Sequence, residues 1–255
     1  MQPEDYAYLY ELEDGFWWFA GMRQITAALL SPVCPPSSDR IILDAGCGTG
    51  GMLSWLRRYA GNGKVYGIDL TPRALAYCRS RGHVVAQASI TRLPFPDSTF
   101  DLLISSDVLV QLPGEGSDES AIREMHRVLR PGGVIFVRVA AYQWLRSGHD
   151  EAQATQRRYY LSELIAKIKR GGFEILRATY ANSALLPIAM TRRLVLQRIG
   201  LAQRGLEVKP WPRGLQWLNS PLKGALQLEA RLLKHPKVRL PAGLSAICVA
   251  QKPRI

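Results

Sequence analysis

The chain has 255 residues, of which 47% are hydrophobic, and it carries a formal net charge of +12. This length suits one α/β domain with insertions, and the apolar content is enough for a sizeable core. No apolar run is long enough to predict a transmembrane helix, and the acidic N-terminus lacks the basic and apolar pattern of a signal peptide.

Strands and helices alternate along the sequence. Residues 1–37 are predicted to be a helical preface that ends in the breaker-rich stretch SPVCPPSS. Strands are then predicted at RIILDAG, KVYGIDL, HVVAQAS, FDLLISSDVLV, VIFVRVAA, FEILRATYA and SAICVAQKP. Helical segments such as TPRALAYCRSRG and LSELIAKIKRGG separate most of them. Because these strands are apolar on both faces, the pattern predicts an α/β fold with a doubly wound, seven-stranded, mostly parallel sheet.

This pattern divides the chain into four parts. We expect an N-terminal helical lid over 1–37, a core over 38–181, a basic helical cap inserted at 182–241, and the last core strand within 242–255. The inserted part is too long for a hairpin and contains two helix-like stretches, around 185–203 and 214–234.

The stretch LDAGCGTGG joins the first strand to the next helix. Asp44 ends the strand, and Gly46, Gly48, Gly50 and Gly51 follow. Glycines let the backbone turn tightly and approach a ligand at the helix N-terminus. The spacing also fits the dinucleotide-binding fingerprint, so the loop alone does not distinguish NAD from S-adenosylmethionine.

Three features together carry a family resemblance. The acid-x-Gly-x-Gly-x-Gly arrangement from Asp44 to Gly50, the stretch LPFPDSTFDLLISSDVLVQLP (93–113) and the stretch MHRVLRPGGVIF (125–136) occur in this order. In sequence, order and spacing the chain resembles the class I S-adenosylmethionine-dependent methyltransferases that act on small molecules (the methyltransferase type 11-like group). The resemblance covers about residues 38–181 and the last strand, and it implies a Rossmann-like methyltransferase fold with S-adenosylmethionine as cofactor.

The resemblance also implies which residues bind the cofactor. Asp69, at the end of the second strand, should accept hydrogen bonds from both ribose hydroxyls, since a carboxylate has two oxygens for two donors. Ser89 stands where the family usually has an Asp that meets the adenine amino group, and a serine can still accept one hydrogen bond. The other implied cofactor-binding residues are Asp44, Gly46, Cys47, Gly48, Leu70, Ile90 and Ser106.

The catalytic assignment departs from the family pattern. Methyl transfer is an in-line displacement that sometimes needs a base. The family's fourth strand often ends in DVLEH, but this chain has DVLVQ, so Gln111 replaces a histidine and cannot be a base. His149 lies after the fifth strand, over the mouth of the sheet, where α/β folds place their chemistry. A role for His149 and a plain surface position are both open.

A narrower resemblance concerns a subgroup with an N-terminal WW-F-x-G-x-R and a later HDE…RRY. Both are present here, at 17–23 and 149–159, although Thr155 replaces the subgroup's second histidine. The absence of a histidine at both 111 and 155 predicts an acceptor site that is altered or that has no strong base. The predicted substrate residues are Phe16, Trp17, Trp18, Tyr142, Arg157, Arg158 and Tyr159.

The aromatic stretch EDGFWWFAGMRQ is predicted to close the site from above. In the family the preface commonly folds across the cofactor mouth, and aromatic faces suit a sulfonium cation. Arg23 is predicted to bind the cofactor's carboxylate. Adjacent helical residues diverge by about 100°, so at most one of Trp17 and Trp18 should face the cofactor.

The positive charge is concentrated between residues 190 and 239. This segment has eleven Lys or Arg against two acids, a local charge of +9. The favoured interpretation is a cap over a small-molecule or amphiphilic acceptor, and an anionic one would give the arginines partners. Peripheral membrane contact is the second interpretation, since Leu, Ile and Trp alternate with Arg. Nucleic acid is disfavoured, because the fourth strand lacks the Asp/Asn-Pro-Pro-aromatic signature and no RNA module is visible.

These observations predict a cytoplasmic, S-adenosylmethionine-dependent methyltransferase. The four scattered cysteines have neither metal nor redox spacing, which favours a reduced compartment and no metal site. O-methylation is favoured over N- or C-methylation, and the oligomeric state is left open. The alternative is a catalytically weak cofactor-binding module whose basic cap docks a membrane or a partner protein.

Overall fold

A seven-stranded sheet forms the centre of the molecule. The computed structural model describes residues 3–37, 39–196, 217 and 219–254. The strands lie in the order β3-β2-β1-β4-β5-β7-β6, and only β7 is antiparallel to its neighbours. The predicted mostly parallel, doubly wound fold is therefore confirmed. The strands are β1 (Ile41–Ala45), β2 (Lys64–Asp69), β3 (Val84–Gln87), β4 (Phe100–Ser106), β5 (Leu129–Ala140), β6 (Glu174–Ala181) and β7 (Ser245–Gln251).

Helices cover both faces of the sheet. They are α1 (Pro3–Leu12), α2 (Trp17–Leu30), α3 (Gly51–Ala60), α4 (Pro72–Ser80), α5 (Ser117–Val128), α6 (Gly148–Ala152), α7 (Leu161–Arg170), α8 (Leu186–Met190) and α9 (Asn219–Leu233). One apolar layer joins α2, α3 and α9 to the sheet residues Ile42, Ile104 and Phe136. The other joins α5 and α7 to Leu43, Leu103 and Ile135 on the opposite face.

The N-terminal helices form a roof that is fixed by charged contacts. Arg81, just after α4, pairs with Glu13 at 3.0 Å and Asp14 at 2.9 Å, and its guanidinium lies 4.3 Å from the centre of the Tyr10 ring. The Tyr6 hydroxyl donates to Thr71 Oγ1 at 3.1 Å. These contacts hold α1 against the start and end of α4, next to the carboxyl ends of the strands.

The segment predicted as an inserted cap is described only in part. It contains α8, a π-helical turn at Thr191–Leu196, and α9, whereas residues 197–216 lie outside the described residues. Helix α9 packs closely on α2, because a Cβ at Gly21 would lie only 2.4 Å from Leu226 Cδ1. Helix α9 therefore belongs to the same core layer on this face of the sheet as α2, on which it packs.

Candidate active site

A cavity of about 420 Å³ lies at the carboxyl ends of β1, β2, β4 and β5. Its floor is the glycine loop with the residues that end these strands, and its roof comes from α1 and the start of α2. This is the edge where open α/β sheets bind ligands, and the volume suits a ligand of cofactor size. The described lining includes Tyr6, Tyr8, Leu9, Trp18, Phe19, Gly46, Gly48, Asp69, Leu70, Ile90, Ser106, Asp107, Gln111 and Arg138.

The glycine loop has a backbone that other residues rarely adopt. Gly46, Gly48 and Gly50 have φ of +94°, +54° and +97°. A Cβ on Gly46 would lie 2.1 Å from Val108 Cγ2, so no side chain fits there. The N–H groups of Gly46 and Cys47 donate to Ile68 O, which fixes the loop against the end of β2. The loop therefore brings bare backbone to the cavity.

Asp69 connects the loop to the next helix. Its Oδ2 accepts from the Gly48 N–H at 3.0 Å and its Oδ1 from the Thr71 N–H at 2.9 Å. Each oxygen keeps a lone pair for a further donor. Asp69 lines the cavity together with Leu70 and Ile90. Their arrangement fits a ribose and an adenine.

Ser89, the residue expected at the adenine amino group, is turned away from the cavity. Its hydroxyl lies 2.7 Å from Thr91 Oγ1 and accepts from the Thr91 N–H. Ala88 lines the cavity at this point instead.

Asp44 is buried beneath the glycine loop with an unsatisfied oxygen. Its Oδ2 has no hydrogen-bond partner, and neither does the Ser106 Oγ; Ser106 lines the cavity, whereas Asp44 is not among the described lining residues. Burial, with smaller contributions from the negative charges of Asp69 and Glu13, raises the pKa of Asp44 to about 7. Buried polar atoms are normally paired, so these two orphaned oxygens fit a ligand that donates hydrogen bonds, such as the ammonium group of S-adenosylmethionine.

Arg138 is a cavity residue that the sequence reasoning missed. Its Nε and Nη2 donate to Asp107 Oδ2 at 3.0 and 2.6 Å, and its guanidinium lies 5.4 Å from the centre of the Trp18 ring. Among the described lining residues it is the only Lys or Arg. The signal was present, because this arginine interrupts the otherwise apolar run VIFVRVAA in β5.

The aromatic stretch divides between cavity and core. Trp18 and Phe19 line the cavity, whereas Trp17 is absent from its lining; both tryptophans also pack against the core layer of α2. Phe16 immediately precedes α2, and its ring centre lies 5.6 Å from that of Trp17. Of the three predicted wall residues, the structure brings Trp18 to the cavity.

Arg23 lies away from the cavity in the structure. Its guanidinium donates to Glu13 O at 2.6 Å and to Asp14 O at 2.9 Å. These bonds close the turn between α1 and α2. The Arg23 guanidinium, which was predicted to bind the cofactor's carboxylate, is therefore already hydrogen-bonded within the N-terminal helices. Carbonyls at the C-terminal end of a helix lack intrahelical donors, so those after α1 suit the Arg23 guanidinium.

The Cys47 side chain also points below the loop. Its Sγ lies 3.8 Å from Cys78 Sγ, and Cys78 Sγ lies 3.1 Å from Gly48 O. The hydrogen bond with Cys78 and burial hold the pKa of the Cys47 thiol far above its usual range. The thiol is therefore neutral, and Cys47 presents its backbone to the cavity side.

The HDE…RRY motif forms a buried ionic brace outside the cavity. Arg158 donates to Asp150 at 2.6 Å and to Ala141 O at 2.9 Å. Burial disfavours the Asp150 carboxylate, but the hydrogen bonds from Arg158 outweigh this, and its pKa lies below the usual value. The brace holds the segment from which Gln153 and Ala154 reach the cavity.

The remaining predicted substrate residues belong to neighbouring structural networks. Tyr159 donates to the buried carboxylate of Asp118 at 2.8 Å, and Arg157 donates to Leu112 O at 3.1 Å. Tyr142 stacks on Tyr180 with ring centres 5.1 Å apart. None of these three is among the described residues that line the cavity.

The two predicted catalytic residues differ in how far they are described. Gln111 ends a short 3-10 helix after β4 and lines the cavity. His149 is the second residue of α6, and its side chain lies outside the described part of the structure. Within the part of the chain that is described, no group of His, Cys, Asp and Glu could hold a metal ion, and no helix is long and apolar enough to cross a membrane.

Comparison with known proteins identifies the core domain. The family described as "Methyltransferase domain" matches residues 43–137. The sterol 24-C-methyltransferase ERG6B of Gibberella zeae is 31% identical over 158 residues, which cover 53% of this chain and 40% of that protein. The fatty-acid O-methyltransferase of Mycolicibacterium smegmatis is 28% identical over 176 residues, which cover 65% of this chain and 61% of that protein.

A solved structure shows the same fold. The phosphoethanolamine N-methyltransferase 2 of Haemonchus contortus, in complex with S-adenosyl-L-methionine, superimposes with a TM-score of 0.59 at 19% identity, covering 92% of this chain and 53% of that one. The alignments of this chain span less than half of the first curated relatives, between 28% and 40% of their length. The domain match and the sheet order identify residues 43–137 as a methyltransferase domain within a Rossmann-like α/β methyltransferase fold.

Proposed function

We propose that this protein transfers a methyl group from S-adenosylmethionine to an oxygen of a small, amphiphilic acceptor. The observation that carries the proposal is the cavity itself, which joins a bare glycine loop and Asp69 to the aromatic wall of Trp18 and Phe19. A cofactor and an acceptor can therefore meet in one space enclosed by α1 and α2. The cofactor supplies an electrophilic methyl group on a sulfonium.

The residues of the floor would hold the cofactor by complementary charge. Asp69 would accept from the ribose, and the apolar side chains of Leu70 and Ile90 would contact the adenine. Asp44 offers an unpaired oxygen for the ammonium group. Arg138 is the cavity cation suited to the carboxylate of the methionine tail, in place of Arg23.

The acceptor end of the cavity favours a nucleophile that is already ionised. Gln111 cannot remove a proton, and Asp107 is engaged by Arg138. The described lining contains neither His nor Lys. A carboxylate oxygen needs no base, because it is anionic at neutral pH. We therefore place carboxylate O-methylation first and N- or C-methylation after it; the named activity of the fatty-acid O-methyltransferase supports this order, and that of the sterol C-methyltransferase represents the other outcome.

A second candidate is a cofactor-binding module with little or no turnover. The replacement of the family's usual histidine by Gln111, with no described histidine in the lining, favours it. Such a module would act through its basic surface on a membrane or a partner protein. It shares the cofactor site with the first proposal and differs only in the fate of the methyl group.

Two measurements on the purified full chain test the proposal. Isothermal titration should detect S-adenosylmethionine binding that Asp69→Ala abolishes, and NAD binding in its place would refute the assignment. Incubation with methyl-labelled cofactor and equal amounts of a fatty acid, a fatty alcohol and a fatty amine should label the acid most. Label in the amine or the alcohol alone would refute carboxylate methylation. Cofactor binding without transfer to any acceptor would support the second candidate.

A further inference from the structure

The outer face of α9 exposes apolar side chains. Leu228 and Leu232 are 58% and 50% exposed, and residues four apart lie on one side of a helix. Trp217, which precedes α9, is 65% exposed. The opposite face of the helix is fully used, since Leu226 and Leu233 are buried in the core layer shared with α2. The exposed leucines are therefore not needed for packing within the described structure.

Helix α9 and the residues that follow it are positively charged. Arg231 flanks the two leucines on α9, Lys223 lies toward the other side of the helix, and Lys234, Lys237 and Arg239 follow the helix end; all five are exposed. The only acid between residues 217 and 254 is Glu229. Its carboxylate points inward and accepts from the N–H groups of Asn182 and Ser183 at 2.6 and 2.9 Å. No exposed acid of the described residues 217 and 219–254 offsets these cations.

We propose that this face of α9 docks on an anionic lipid bilayer. Exposed Leu and Trp beside Lys and Arg are the composition of helices that lie in the membrane interface, where the apolar groups enter the headgroup layer and the cations meet anionic lipids. A nucleic-acid surface would use the cations but would gain little from the leucines. The charge and the apolar side chains together therefore select the bilayer.

This orientation also brings the membrane close to the cavity. Leu226 on α9 contacts α2 at Gly21, one turn from Trp18 in the cavity wall. Packed helices lie about 8–10 Å apart, so a bilayer against α9 would be about two helix layers from that wall. The docking itself is independent of the proposed function. Only the consequence that an amphiphilic acceptor passes from the bilayer to the cavity rests on it.

Vesicle co-sedimentation tests the docking. The full chain should bind vesicles of phosphatidylcholine with 30% phosphatidylglycerol and should bind pure phosphatidylcholine at least tenfold more weakly. Removing two cations with Arg231→Gln and Lys234→Gln should weaken binding about 25-fold, since each is worth about 1 kcal/mol or about fivefold. Leu228→Ser with Leu232→Ser should weaken it without removing its dependence on salt.

Matched controls come from other surfaces of the molecule. Lys169→Gln with Arg170→Gln removes two exposed cations from α7, on the other side of the sheet, and Val84→Ser removes an exposed apolar side chain from β3. Both should leave vesicle binding unchanged. Circular dichroism and cofactor titration identify any variant that fails to fold, and they report on the cofactor site separately from the docking face.

Four outcomes would overturn the inference. They are equal binding to both kinds of vesicle, no binding to either, an equal loss in the α7 control, and a concentration-dependent dimer that the leucine variant abolishes without any vesicle binding. If duplex RNA, but not vesicles, were bound through Arg231 and Lys234, the face would belong to a nucleic-acid surface. Failure of methyl transfer with intact vesicle binding would count against the proposed function alone.

Discussion

The substitution Asp44→Asn tests whether the carboxylate beneath the glycine loop is held at a cost to stability. Burial and the neighbouring charges of Asp69 and Glu13 raise its pKa from 3.8 to about 7. Between pH 3.8 and about pH 7 the Asp44 carboxyl is protonated in the folded protein but ionised in the unfolded chain. The free energy of unfolding therefore falls as the pH rises from 3.8, and the loss is complete above pH 7.

The size of the effect follows from the pKa displacement. A change from 3.8 to about 7 corresponds to about 4 kcal/mol once the group is ionised in both states. At pH 5 the same relation gives about 1.5 kcal/mol, because the folded carboxyl is still protonated. The stability of Asp44→Asn relative to the unsubstituted protein should thus increase by about 2.5 kcal/mol between pH 5 and pH 8. Any cost of burying the Asn amide does not depend on pH and cancels in this comparison.

Urea denaturation followed by circular dichroism, at pH 5, 6, 7 and 8, measures this difference directly. In thermal unfolding it corresponds to about 5–10 °C in Tm for a chain of this length. Glu115→Gln removes an exposed carboxyl from the loop before α5 and serves as the matched control, with a difference that stays within about 0.5 kcal/mol at every pH. A difference between Asp44→Asn and the unsubstituted protein that does not change with pH would refute the reasoning.

Three further predictions concern the cavity. Arg138→Gln should raise the Kd for S-adenosylmethionine about 10- to 150-fold, the value of one charge-assisted hydrogen bond, whereas Arg23→Gln should leave it unchanged; titration calorimetry compares them. Gly46→Ala should abolish cofactor binding, since the methyl group would overlap the neighbouring valine, as equilibrium dialysis would detect. Trp18→Ala should lower kcat/KM, whereas Trp17→Ala, at a half-buried position outside the cavity lining, should instead lower the free energy of unfolding by about 1–3 kcal/mol; steady-state kinetics and urea denaturation separate the two.

Local sequence patterns were enough to predict the sheet and the floor of the cavity. Strand and helix periodicity repeats over short windows, and the loop from Asp44 to Gly51 has its spacing within one strand-turn-helix unit. Asp69 follows from the same logic, because it ends the neighbouring strand. The presence of Trp18 and not Trp17 in the cavity lining agrees with the helical period of α2. Each of these features depends on residues that are close in sequence.

The partners of charged side chains could not be predicted in this way. Arg138 reaches the cavity because the β4–β5 register places it beside Ser106, at the strand ends. Arg23 turns back to carbonyls of the preceding turn, and Arg158 finds a buried carboxylate eight residues earlier. In each case the partner is set by tertiary packing, which motif spacing does not report. A motif rich in Arg and Tyr can therefore brace a binding segment without lining it.

The stability cost at Asp44 and the proposed cofactor chemistry have the same physical origin. An ionised carboxylate without a partner is expensive in a buried site, but it becomes favourable when a cation binds beside it. In the described structure Arg138 lowers the pKa of Asp44 only in part, against the opposing effects of burial, Asp69 and Glu13. The cavity thus holds an excess of negative charge beneath a loop of bare backbone. A ligand with a sulfonium and an ammonium group would relieve that excess, so affinity for such a ligand is obtained at the expense of stability of the ligand-free protein.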